Sequence, residues 1–184
     1  MDGAMARRFE TLTRQEQIKT LVRIHNRLNK ELFNNELHKA KPWGFSNFLK
    51  YSDCVFINVS GFDNGSVANY RSYTPDGEKP VQMICFQTEW LNPFMPSCKT
   101  IKRQKLRLVI NMLHEMIHQY MHEKGLYLGE NDGHNAIFIE ERKKRGLIRE
   151  ETETDPTIEI DANLARIAYS IRFYTDKGKE GEAQ

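Results

Sequence analysis

The sequence predicts one α+β domain, with a small antiparallel sheet packed on helices. Three observations predict it. Residues 14–33 and 100–124 carry apolar side chains at helical spacing, whereas residues 43–87 switch to β-branched runs broken by turn formers. The length of 184 residues fits a single domain able to bury its own core. Composition agrees: 39% hydrophobic and 28% charged residues are the balance of a soluble globular chain. No apolar run approaches the roughly 20 residues that span a bilayer, and the polar start from Met1 to Glu10 has no apolar signal core. Cys54, Cys85 and Cys98 are odd in number and widely spaced, which argues against a disulfide framework or a zinc ribbon. These features predict a cytoplasmic protein, or a nuclear one in a nucleated cell. The net charge of +2 is too small to argue nucleic-acid binding by itself.

The elements follow in order. Thr13 with Glu16 three residues later forms a capping-box start. Ile18, Leu21, Val22, Leu28 and Leu32 then repeat at helical spacing, and Asn34-Asn35 ends the helix. Cys54 to Val59 is a continuous apolar strand, closed by Ser60-Gly61. Asn64-Gly65 and Pro75-Asp76-Gly77 mark turns, with strands expected over Val67–Thr74 and Val81–Gln87. Pro93 and Pro96 break the chain before a long helix that stops at Gly125. Asp132 is the expected N-cap of the next helix, which carries Ile137 and Phe138 and closes at Gly146. Residues 161–174 fit a helix and a strand equally well.

The long helix carries the chemistry. His114-Glu115-Met116-Ile117-His118 puts two imidazoles one turn apart on a single face, with a carboxylate beside them. On a helical wheel Arg107, Asn111, His114, Glu115, His118 and His122 share an arc of roughly a quarter turn. Leu106, Val109, Ile110, Leu113, Met116, Ile117, Tyr120 and Met121 fill most of the remainder. A helix apolar nearly all round is a buried one, so its one polar sector suits an internal metal site. An ordinary surface strip would leave the other faces polar too.

A catalytic zinc takes three protein ligands and keeps an open position. His122 lies eight residues from His114, about 12 Å of helical rise, too far for both to bind one ion. His134 is the leading third ligand, with Glu123, Glu130 and Glu140 as carboxylate alternatives. His25 and His38 have no ligand-like neighbours in sequence. With Zn2+ bound, Glu115 is placed to take a proton from the attacking water and pass it to a leaving amine. Tyr70, Arg71 and Tyr127 are candidates to stabilise an oxyanion, and Asp132 to orient a ligand histidine.

The His114–His118 motif, followed by Asp132-Gly133-His134 and Phe138, resembles the SprT-like (Spartan-type) metallopeptidase domain. The stretch Lys30-Glu31-Leu32-Phe33-Asn34-Asn35-Glu36-Leu37 resembles that family's N-terminal helix end, and the likeness runs from about Gln15 to Leu147. Asn135 and Ala136 stand where the family has Gly and Pro, and no cysteine zinc ribbon follows in the sequence. The resemblance implies a zincin-like fold over 13–148, between a flexible start (1–12) and a partly disordered C-terminal extension (149–184). It also implies a zinc endopeptidase acting on DNA-bound or DNA-crosslinked proteins in DNA repair, with extended substrate paired to an edge strand near Val81–Gln87. Two other readings are open: a non-catalytic, zinc-stabilised DNA- or protein-binding module, and a zinc hydrolase of another substrate class. No membrane partner is expected.

Basic residues Lys99, Lys102, Arg103, Lys105 and Arg107 open the long helix, where they oppose its dipole; a solvated face explains them more simply than a basic rim to the cleft. Arg142-Lys143-Lys144-Arg145 sits in a last turn, where positive charge favours the dipole. Trp43, Phe45 and Phe48 read as packing residues rather than base-stacking ones.

Overall fold

The computed structural model describes residues 8–43, 54–60, 67–73, 81–87, 100–126, 134–149 and 157–173. Helix α1 (Arg14–Leu32) begins with the expected reciprocal cap between Thr13 and Glu16. It ends at Asn34 and Asn35, whose φ values of 54° and 60° are left-handed, a conformation asparagine tolerates better than most residues. The buried Asn29 then brackets the returning chain, donating to the Leu37 carbonyl at 2.8 Å and accepting from the Leu37 N–H at 3.2 Å.

Four strands follow: β1 (Lys39–Pro42), β2 (Cys54–Val59), β3 (Ala68–Tyr73) and β4 (Val81–Phe86). They form one sheet in the order β1-β2-β4-β3. The expected antiparallel sheet is corrected here. β1 with β2 and β2 with β4 are parallel, and only β3 with β4 is antiparallel. The continuous apolar run of β2 is the mark of a central strand covered on both faces, as parallel strands are. Turn formers on either side of the strands favour hairpins when the sequence is taken alone. Val81–Phe86 is also not the edge strand expected from sequence: it lies inside the sheet between β2 and β3, so the edge beside it is β3. Strand β1 is too short and too polar to have been read from its sequence.

The sheet has two faces. Val55, Ile57, Val59, Ile84 and Phe86 belong to the main core with α1 and with α2 (Ile101–Glu123). Cys54, Phe56 and Val81 form a smaller cluster on the other side with Trp43, whose ring meets Phe56 edge-on at 5.6 Å. Cys54 and Cys85 are buried, and neither is in a disulfide. α2 starts at the Thr100 cap and ends before Gly125, at φ 65°. As the wheel requires, it is buried on most of its circumference.

Helix α3 (Ala136–Lys144) is capped by Asn135, whose side chain accepts from the Phe138 N–H, so it begins later than the Asp132 cap expected from sequence. Asp132 itself lies outside the described residues. At its far end Arg145 does more than meet a dipole. Its guanidinium is buried over the rings of Phe33 (4.1 Å) and Tyr120 (4.6 Å) and paired with Glu141, which ties α3 to α1 and α2. Burial alone would push the Glu141 carboxyl up, but hydrogen bonds from Arg145 and Lys144 outweigh it and hold the group below its ordinary range.

Strands β5 (Leu147–Arg149) and β6 (Glu159–Ile160) pair antiparallel, and residues 162–170 settle as a helix, α4 (Ala162–Ser170), capped by Asp161. The core overruns the 13–148 bounds expected for the domain. Phe9 and Leu12 before it, and Leu164, Ile167 and Ala168 after it, belong to the same buried cluster. Gln104, fully buried on α2, holds the Phe9 turn by accepting from its N–H at 3.2 Å. No helix among the described residues is long and apolar enough to cross a membrane.

Candidate metal centre

The three histidines singled out by sequence come together. The Nε2 atoms of His114 and His118 are 3.2 Å apart, those of His118 and His134 3.3 Å, and those of His134 and His114 3.0 Å. α2 supplies the first two from successive turns, and His134 enters from the residue before the α3 cap. Three ring nitrogens at the corners of such a triangle cannot satisfy one another by hydrogen bonding. Each carries either one proton or one lone pair. Three lone pairs aimed at a common point are what a cation resolves. A divalent ion with tetrahedral bonds of about 2.0–2.1 Å needs nitrogen separations of about 3.3–3.4 Å. The observed triangle is within a few tenths of an ångström of that, so these residues are positioned to hold a metal ion.

Phe138 forms the floor beneath them. Its ring, 1% exposed, lies 4.9, 4.7 and 4.8 Å from the rings of His114, His118 and His134. An apolar wall touching all three imidazoles fixes their tilt and excludes water from that side. Sequence reasoning met Phe138 only as a motif residue, in the first turn of the helix that follows His134. Glu115 lies on α2 between the two helical ligands and is buried, 6% exposed. It is close enough to Cys85 of β4 to help raise that thiol, though burial is the main cause.

Other candidates stand apart from the triad. His122 is exposed, its ring 5.8 Å from that of Tyr70 on β3. It lines a cleft of about 370 Å³ with His38, Gln82 and Glu123. Glu123 is not a ligand: it accepts from the His38 N–H and from Gln119. Glu140 is exposed on α3 and outside the cluster. Arg71 is exposed on β3, on the sheet face opposite Tyr70. Glu130, Tyr127, Asp132 and Lys99 lie outside the described residues. Lys102 and Lys105 sit over the rings of Tyr169 (4.4 Å) and Phe173 (5.8 Å), so part of the basic start of α2 covers the C-terminal segment.

Two further buried groups support the ligand helix. Gln119, next to His118 and fully buried, donates through Nε2 to Glu123 at 2.8 Å and to the His38 carbonyl at 3.2 Å. Its Oε1 therefore accepts from His25 Nε2 at 2.8 Å. His25 looked incidental in sequence, yet it falls on the α1 apolar stripe with Ile18, Leu21 and Leu28, a spacing that predicts burial.

No family model matches the chain, and no curated protein or solved structure matches it either.

Proposed function

We propose that this chain is a zinc-dependent endopeptidase of the zincin-like, SprT type. The observation that carries the reading is the convergence of three imidazole nitrogens within 3.0–3.3 Å, two of them from α2, which also buries a carboxylate between that pair, and the third from His134. All-nitrogen donors at this spacing suit zinc, and three protein ligands are the number that leaves a position for chemistry. When bound, zinc supplies a Lewis acid that polarises a carbonyl and brings a water's pKa towards about 7.

The chain's own residues do the rest. His114, His118 and His134 hold the ion as neutral imidazoles, and Phe138 keeps their rings in register. Glu115 accepts the proton of the attacking water and returns it to the departing amine. An extended peptide pairs with the outer edge of β3, which has no described strand beside it and packs along α2. By resemblance, the substrates are DNA-bound or DNA-crosslinked proteins.

The test is hydrolysis of an unfolded protein by the zinc-loaded chain, with and without single-stranded DNA. Wild type cleaves; Glu115→Gln keeps its zinc and loses at least about 100-fold in rate, the usual worth of a general base. Equal turnover by Glu115→Gln would refute the mechanism. Bound zinc with no cleavage by wild type would instead favour the zinc-stabilised binding module.

A further inference from the structure

Asn111 stands on α2 about one turn before His114, in the polar sector it shares with the two helical ligands. At about 100° per residue it falls between His114 and Glu115 around the helix and about 20° from His118. It is therefore in line with the candidate metal centre, set back along the axis by about 4.5 Å from His114 and about 6 Å from Glu115. Its side chain is half-buried, while the neighbouring Met112 and Leu113 are fully buried. Among the described residues none hydrogen-bonds to its amide. Asparagine is a poor choice for a helix interior, because its short amide competes for backbone groups in other conformations. No side-chain hydrogen bond within the described fold offsets that cost, so the partner to look for is a bound molecule.

We infer that Asn111 reads the substrate side chain immediately after the cleaved bond and favours a carboxamide there, asparagine or glutamine. The inference rests on the protease reading, in which Glu115 hands a proton to the departing nitrogen. The residue that carries this nitrogen must lie beside Glu115. Side chains on a helix lean towards its N-terminus, so the Glu115 carboxyl is carried back over the Asn111 turn. The departing residue is thus on the Asn111 side of the ion. A carboxamide has an acceptor oxygen and two donor hydrogens, and a second carboxamide meets it at two points. A hydroxyl meets it at one. An aliphatic side chain of the same size shuts water out and leaves the Asn111 amide unpaired, which costs about tenfold in rate.

The test digests a mixture of unfolded proteins with the zinc-loaded full chain and reads by mass spectrometry the residue that follows each cut. Cuts also made by Glu115→Gln are subtracted. Asparagine with leucine, and glutamine with methionine, are pairs of similar size. Wild type should favour the carboxamide of each pair about tenfold after correction for abundance. Asn111→Leu should reverse the order, and Asn111→Ala should bring the ratio to within about twofold of unity. Both substitutions raise helix propensity, and circular dichroism with zinc content checks that each variant folds. A wild-type ratio near unity, or a ratio that neither variant changes, overturns the inference and leaves the protease reading standing. No cleavage by zinc-loaded wild type above the Glu115→Gln background overturns both.

Discussion

Taking the pH from 7.5 to 5 should cost the fold about 2 kcal/mol through His25 alone. The ring is fully buried between α1 and α2, and burial pushes its pKa from 6.5 to about 4, against the smaller opposing effect of the Gln119 hydrogen bond. Between those two values the unfolded chain takes up a proton that the folded chain refuses. The unfolded state therefore binds more protons, and stability falls as pH drops from about 6.5 towards 4 and is level above that window. At about 1.4 kcal/mol per pH unit the loss integrates to about 2 kcal/mol by pH 5 and about 3 kcal/mol below pH 4. Urea unfolding in the presence of a chelator, at both pH values, measures it. His25→Gln keeps an N–H donor for Gln119 and removes the titration, so wild type should lose about 2 kcal/mol more than the variant over the same interval. Equal losses would refute the reasoning, because every other titrating group is common to both proteins.

Gly146→Ala should be among the most destabilising single-methyl additions. Gly146 has φ 87°, and an added Cβ would stand 2.5 Å from the Asp161 carboxyl that caps α4. Strain and a displaced cap together predict a loss of about 2–4 kcal/mol by thermal or urea unfolding; a change under about 0.5 kcal/mol would contradict the contact. Phe138→Leu should keep most of the core volume yet weaken zinc binding about 10- to 100-fold in a chelator competition, as loss of ligand support does. Unchanged affinity would remove Phe138 from the account of the centre.

The legible parts of this chain were those written in periodicity and spacing. The Thr13–Glu16 cap, the Asn34-Asn35 stop, the buried α2 and the Gly125 and Gly146 ends all follow from local rules, and the structure bears them out. His134 could be named because excluding His122 by helical rise left one histidine near enough in sequence to fold back. What sequence hid was non-local. Strand direction depends on which partners flank β2, and its apolar run was compatible with either answer until the parallel register fixed it. The role of Arg145 depends on Phe33 and Tyr120, more than a hundred and about twenty-five residues away in the chain. Gln119 and His25 are polar residues on apolar faces, and only their mutual hydrogen bond shows why they are there. The helix-or-strand ambiguity of residues 161–174 was settled by the Asp161 cap and by packing of Leu164, Ile167 and Ala168 into the core.

The central claim is that the imidazoles of His114, His118 and His134 share one zinc ion. Metal analysis of the purified chain after dialysis, with single alanine substitutions, tests it most directly. Wild type and His122→Ala should each carry about one zinc per chain, and His114→Ala, His118→Ala and His134→Ala less than about a tenth of that. Full zinc in His134→Ala, or its loss in His122→Ala, would contradict the account.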